Sequence, residues 1–96
     1  MQVRDTSLPG VMVVDTRIFA DERGYFLETF REERYREAGI RGPFVQDNLS
    51  FSKQGVLRGL HFQHPRAQGK LVYVLQGDIF DVAVDLRRGA NTFGQW

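Results

Sequence analysis

The chain has 96 residues, of which 42% are hydrophobic and 26% charged, and its formal net charge at pH 7 is +1. This balance is typical of a single globular domain and excludes both a disordered chain and the strongly basic surface of most nucleic-acid-binding proteins. Because the chain has no cysteine, disulfides, thiolate metal sites and cysteine nucleophiles are excluded, which is compatible with a reducing cytoplasm.

The N-terminal ten residues, MQVRDTSLPG, lack the basic start and apolar stretch of a secretory signal. No apolar run approaches the roughly 18 residues that a membrane span requires. We therefore expect a soluble, unexported protein with no membrane partner.

Three elements are predicted in the first 40 residues. The β-branched run VMVVDTRIF predicts a strand over 11–19, and the polar loop 20–24 leads to a second strand, YFLETF, over 25–30. The charged stretch REERYREAG over 31–39 predicts one short surface helix, because its acidic residues have helical spacing and Gly39 lies where a helix would end.

Four further strands are predicted after the Gly42-Pro43 break, over 44–51, 56–63, 70–75 and 79–87. The last two are separated by the turn QGD and predict a hairpin. The second arm alternates, so we expect one buried face, consisting of Phe80, Val82, Val84 and Leu86. The other face of this strand carries the carboxylates of Asp81 and Asp85.

The elements together predict one domain over 1–96, a mainly antiparallel β-sandwich or barrel with one short helix. There is no internal repeat or linker to suggest a second domain. The sequence ends at NTFGQW without strands to cover the edges of the predicted sheet. We therefore expect these residues to be the N-terminal part of a longer protein.

The segment VLRGLHFQ contains the first candidate for chemistry, His61. A lone histidine in a strand is more often structural, but Gly59 on the same predicted face would let a ligand approach closely. His61 and His64 do not predict a metal site, because residues three apart on a strand point to opposite faces. Simple alternation also places His61 and Arg58 on opposite faces, so a shared site would need either a bulge at Gly59 or an arginine side chain that reaches round the barrel mouth.

Two charged residues break apolar strands. Lys70 opens the strand KLVYVL after a flexible loop, and Arg58 interrupts VLRGLHFQ, so both are candidates for anion binding, although either could be a solvated surface charge. Asp81 also interrupts an apolar strand, IFDVAVDLR. It is equally well explained as part of the polar outer face or as an inward-pointing carboxylate, which would need His61, Lys70 or Arg58 as its partner.

Three long motifs, DERGYFLETF, FVQDNLSFSKQGVLRGLHFQ and QGKLVYVLQGDIFDVAVDLR, occur in this order. With them the chain closely resembles the dTDP-4-dehydrorhamnose 3,5-epimerase family, over about the first half of a typical member. The resemblance implies a cupin-like jelly-roll barrel, here an incomplete N-terminal portion, a homodimer, and neither a metal nor an organic cofactor. The implied substrate is dTDP-4-dehydro-6-deoxyglucose, a dTDP-4-keto-6-deoxy sugar of dTDP-L-rhamnose synthesis.

The resemblance also assigns roles to single residues. His61, in the family's RGLH motif, would be the catalytic base, and Lys70 matches a further substrate contact that, on chemical grounds, could stabilise the enolate. The implied substrate-binding residues are Arg23, Glu28, Gln46, Asp47, Asn48 and Arg58. The family's tyrosine general acid, and the carboxylate that orients the histidine, lie in the C-terminal half, so we expect the 96 residues alone to be inactive.

Proton abstraction suits these residue types. Removing a proton from C3 or C5 of a 4-keto sugar develops an enolate at the C4 oxygen, which calls for a base near neutral pH and a nearby cation. The alternative hypothesis is a catalytically silent cupin module that binds sugar nucleotide or only dimerises. A nucleic-acid-binding β-module is disfavoured by the mixed charges.

Overall fold

A computed structural model describes all 96 residues, and its regular elements are four short strands followed by one short helix. Strands β1 (Gln2–Asp5) and β2 (Met12–Asp15) form one antiparallel hairpin, and β3 (Ile18–Asp21) and β4 (Gly24–Leu27) form another. Helix α1 spans Glu32–Glu37. The regular structure is therefore mainly β, as the sequence predicts, and it lies entirely before residue 38.

The first hairpin contains a strand, β1, that the pattern does not predict. Its loop is closed by Thr6, whose hydroxyl donates to the Val11 carbonyl at 2.9 Å and accepts from the Leu8 backbone N–H at 3.1 Å. These bonds fold the loop over the Leu8 side chain, which is one of only three buried residues in the chain. A local turn, rather than strand propensity, therefore aligns β1 with β2.

The strand predicted over 11–19 is divided in two at Thr16 and Arg17. Its first part pairs with β1, where Asp15 lies opposite Gln2, and its second part pairs with β4, where Ile18 lies opposite Leu27. The two hairpins do not pack against each other. The prediction of one continuous strand is wrong because the run changes its pairing partner halfway along.

The second hairpin turns through two residues, Glu22 and Arg23, rather than through the predicted loop 20–24. The Asp21 carboxylate accepts a hydrogen bond from the Arg23 backbone N–H at 2.9 Å, which stabilises the turn. Gly24 has a φ of +134°, a conformation that side chains rarely adopt, so glycine suits this end of the turn. The following strand ends at Leu27, three residues before the predicted end.

The predicted helix is confirmed, together with the role of Gly39 at its end. The Gly39 N–H donates to the Arg36 carbonyl at 3.0 Å, and the Ile40 N–H donates to the Tyr35 carbonyl at 2.9 Å. With Gly39 at a φ of +83°, these two bonds form a Schellman motif, which satisfies carbonyls that the end of the helix would leave unpaired. Glycine stops the helix because it adopts the left-handed conformation without a steric penalty.

The four strands predicted over 44–51, 56–63, 70–75 and 79–87 are absent. The expected buried face is also wrong in part, since Phe80 is 87% exposed and Leu86 is 52% exposed, while Val82 and Val84 are half-buried. Alternation specifies which side chains share a face, but a strand also needs a neighbour for its backbone groups. No such neighbour lies beside these segments.

A compact loop forms instead near the end of the chain, around the buried carboxylate of Asp85. This carboxylate accepts hydrogen bonds from the backbone and guanidinium of Arg87, at 2.8 to 3.0 Å, and from the Thr92 hydroxyl at 2.6 Å. The Arg87 guanidinium also donates to the Pro9 carbonyl at 2.9 Å, which connects this loop to the first hairpin. Alternation places Asp85 on a polar outer face, whereas the structure buries it in a satisfied network.

Candidate functional site

Arg23 and Glu28 lie at the two ends of β4. The Arg23 guanidinium forms an ion pair with Asp21, and its hydrogen bonds hold the pKa of that carboxyl below its usual range. Glu28 follows β4 directly and accepts a hydrogen bond from Arg34 of α1 at 2.9 Å. Both side chains therefore have a protein partner, and both partners lie close in sequence.

Glu28 lines an open hollow of about 430 Å³ between β3 and α1. The hollow contains two arginines, Arg17 and Arg34, and the guanidinium of Arg17 lies 4.6 Å from the centre of the Phe19 ring. Such an arrangement favours a cation–π interaction, which holds the arginine side chain against the strand. The sequence pattern singles out neither arginine.

The three candidate residues in the motif FVQDNLSF are exposed, on a segment without regular secondary structure. The Gln46 amide donates to the Asn48 side-chain oxygen at 3.3 Å, so these two side chains lie on the same side of the backbone. Asp47 lies between them and makes no side-chain hydrogen bond or ion pair. Only this pair keeps the shared side that the sequence pattern predicts, and no sheet forms.

The three central candidates, Arg58, His61 and Lys70, are all exposed. Arg58 donates to the Ser52 hydroxyl at 2.9 Å, and Lys70 donates to the Gln68 side-chain oxygen at 2.9 Å, whereas the His61 ring makes no hydrogen bond. No hydrogen bond joins the three to one another, and none of them lines the hollow beside Glu28. The shared substrate site that the family motifs imply for these residues therefore remains a prediction.

A second hollow, of about 410 Å³, is formed by aromatic side chains around α1. The Phe30 ring lies 4.9 Å from Tyr35 and 5.6 Å from Phe44, measured between ring centres. Burial raises the pKa of Tyr35, and the negative charges of Glu28 and ionised Tyr73 raise it further. This cluster attaches the helix to the loops on either side and contains none of the predicted site residues.

No three histidine, aspartate or glutamate side chains lie close enough together to hold a metal ion. None of the helices has the length and apolar character needed to cross a bilayer.

Comparison with known proteins decides the family. A sequence model described as dTDP-4-dehydrorhamnose 3,5-epimerase matches residues 5–96. The chain belongs to the dTDP-4-dehydrorhamnose 3,5-epimerase family. The resemblance carried by the three sequence motifs is thereby confirmed over nearly the whole chain.

Relatives within the epimerase family align with 95% or more of this chain. A protein of Methanothermobacter thermautotrophicus is 56% identical over 91 residues, which are 95% of this chain and 49% of the relative. Proteins of Pseudomonas aeruginosa and Shigella flexneri are 52% and 51% identical over the entire chain, which covers 54% of each. All three are named dTDP-4-dehydrorhamnose 3,5-epimerase. The chain thus spans about half the length of the curated relatives it matches.

Proposed function

We propose that the protein containing this chain epimerises dTDP-4-dehydro-6-deoxyglucose at C3 and C5, as a step of dTDP-L-rhamnose synthesis. The observation that supports this most directly is the family match over residues 5–96, together with about 50% identity to relatives that are named for this reaction. The motif that contains His61 lies inside the matched region.

His61 is proposed as the base. It takes the proton from C3 or C5, and the electrons of the broken C–H bond form a C=C bond while the C4 carbonyl becomes an enolate. Histidine suits this step because imidazole exchanges protons near neutral pH, and general-base catalysis typically contributes about 10²–10⁴-fold in rate. The His61 ring makes no hydrogen bond in the structure, so both nitrogens are available to a substrate or to an orienting carboxylate.

Lys70 is proposed to stabilise the enolate. Its ammonium group is bonded only to the Gln68 side-chain oxygen, a neutral partner that an enolate oxygen could replace. An oriented cation in a water-poor site lowers the energy of developing negative charge far more than a hydrated one does. A proton returned to the opposite face of the carbon, by an acid not assigned to this chain, completes each epimerisation.

Arg23 and Arg58 are proposed to bind the diphosphate, since a planar guanidinium matches phosphate oxygens. Arg23 is paired with Asp21, but the guanidinium is highly exposed, and an exposed ion pair contributes little to stability. A diphosphate could therefore share or replace this partner at low cost. Glu28, Gln46, Asp47 and Asn48 are proposed to supply the remaining substrate contacts, as in the family motifs.

We further propose that the whole protein is a cytoplasmic homodimer with a jelly-roll barrel, in which the segments over 44–87 are strands. Support comes from family membership and from the alternation of these segments. A cupin module that binds sugar nucleotide without catalysis is the competing hypothesis, and proton exchange separates the two.

The test is exchange of solvent deuterium into C3 and C5 of the dTDP-4-keto sugar by the whole protein. His61→Asn should abolish exchange at both carbons, because an amide of similar size cannot accept a proton at neutral pH. His64→Asn is the matched control and should exchange at the wild-type rate. A His61→Asn protein that still exchanged at this rate would refute the proposed base, and a wild-type protein that bound the sugar without exchange would favour the silent module.

A further inference from the structure

The carboxylate of Glu28 is held by one of its two oxygens. Nη1 of Arg34 donates to Oε1 of Glu28 at 2.9 Å, and the second oxygen, Oε2, accepts no hydrogen bond. Both residues line the open hollow beside β3, and the side chains of Arg34 and Glu28 are 48% and 37% exposed. One oxygen is therefore bound within the protein, and the other is free to accept a hydrogen bond from a ligand.

The position of Arg34 is set by the residue that follows it in α1. Tyr35 is buried, and its hydroxyl donates to the Thr29 carbonyl at 2.9 Å. Two successive helix residues thus contact two successive residues after β4, because Arg34 bonds to Glu28 and Tyr35 bonds to Thr29. The buried tyrosine holds the helix against this end of the strand, and the arginine is kept within reach of the carboxylate.

The charge of Arg34 matters because the proposed substrate is itself negative. A carboxylate that contacts a diphosphate sugar is repelled by the phosphates, and like charges brought together at an interface weaken binding. Arg34 offsets the charge of Glu28 and leaves Oε2 as an acceptor. The other arginine of the hollow, Arg17, lies over the Phe19 ring and forms no ion pair with Glu28, so the offset comes from α1.

We infer that Arg34 is a positioning residue: it holds Oε1 of Glu28, offsets the carboxylate charge, and presents Oε2 to an N–H or O–H donor of the substrate. The inference rests on the proposed function in taking a dTDP sugar as the ligand and Glu28 as one of its contacts. An ion pair this exposed contributes little to stability. Its effect is therefore on the orientation of the carboxylate and not on folding.

The test is a double-mutant cycle on the whole protein, with the affinity for dTDP-glucose measured by calorimetry at about 0.15 M salt, where distant charges are screened. This ligand has the nucleotide and a sugar but no ketone, so it binds without turnover. Glu28→Ala should weaken binding at least about tenfold, and Arg34→Met about three- to tenfold. In the Glu28→Ala background, Arg34→Met should change the affinity by less than about twofold, because no carboxylate remains to be positioned.

Two further variants of α1 serve as controls. Arg36→Met makes the same substitution at an arginine of the same helix that forms no ion pair, and it should bind dTDP-glucose as the wild type does. Arg34→Lys should keep the affinity within about twofold of the wild type, because only one guanidinium nitrogen donates to Glu28 and a lysine ammonium can make a single bond of this kind.

An Arg34→Met loss that was equal with and without Glu28 would overturn the inference, because Arg34 would then contact the ligand itself or only stabilise the helix. Titration with dTDP alone locates the donor: the losses persist if the nucleotide supplies it and vanish if the sugar does. Deuterium exchange is recorded separately. Exchange without coupling would overturn this inference alone, coupling without exchange would overturn the epimerase reaction alone, and a wild-type protein that bound neither ligand would overturn both.

Discussion

Tyr35 is the residue whose removal should have the clearest effect on the structured half of the chain. It is 4% exposed, and its hydroxyl donates to the Thr29 carbonyl at 2.9 Å while its ring packs against Phe30. Helix α1 has six residues, too few to be stable in isolation. The helix therefore depends on this tertiary anchor.

Tyr35→Phe keeps the ring and removes one hydrogen bond, which should cost about 0.5–1.5 kcal/mol. If the helix opens locally, its amides should then exchange about 2- to 13-fold faster, an effect readable at Ala38, whose N–H donates to Arg34, and at Ile40, whose N–H donates to Tyr35. Tyr35→Ala also removes the ring, and a cost of about 3–5 kcal/mol should abolish measurable protection.

The measurement is hydrogen exchange followed by NMR on the 96-residue chain at constant pH. Tyr25→Phe is the control, because Tyr25 is 70% exposed and its hydroxyl makes no hydrogen bond. Equal exchange rates of Ala38 and Ile40 in the Tyr35→Phe and Tyr25→Phe variants would show that the Tyr35 hydroxyl does not stabilise the helix.

Three further predictions concern pH and catalysis. Because the pKa of Tyr35 is raised, the unfolded state should lose the phenolic proton first, so the contribution of Tyr35 to stability should be constant below about pH 10 and fall above it, with its tyrosinate absorbance appearing late in the titration. The Arg87 and Thr92 hydrogen bonds hold the pKa of Asp85 far below its usual range, so the contribution of this carboxylate to the terminal loop should begin to fall below about pH 4 and be lost at still lower pH, seen as faster exchange of the Gly94 amide, which donates to the Asp85 carbonyl. Asp85→Asn should open the loop at neutral pH, and an unchanged loop would contradict this. Lys70→Ala in the whole protein should slow deuterium exchange into the sugar while leaving it measurable, and exchange at the wild-type rate would remove Lys70 from the mechanism.

The sequence alone determined the features that depend on neighbouring residues. Gly39 ends the helix because left-handed backbone is needed there, and the local pattern predicts this without knowledge of the rest of the fold. The position of the second hairpin was also predictable within a few residues, since a polar turn that ends in Gly24 has few alternatives. The family followed from long motifs, and with it came the candidate roles of His61 and Lys70.

Only the tertiary structure decided which segments pair and which side chains become buried. It divided the run over 11–19 between two hairpins, joined Glu28 to Arg34, and buried Asp85 where alternation places an exposed carboxylate. It also left the alternating segments over 44–87 without partners. The physical reason is that alternation is a property of one segment, whereas a strand and a buried charge both need groups that lie far away in sequence.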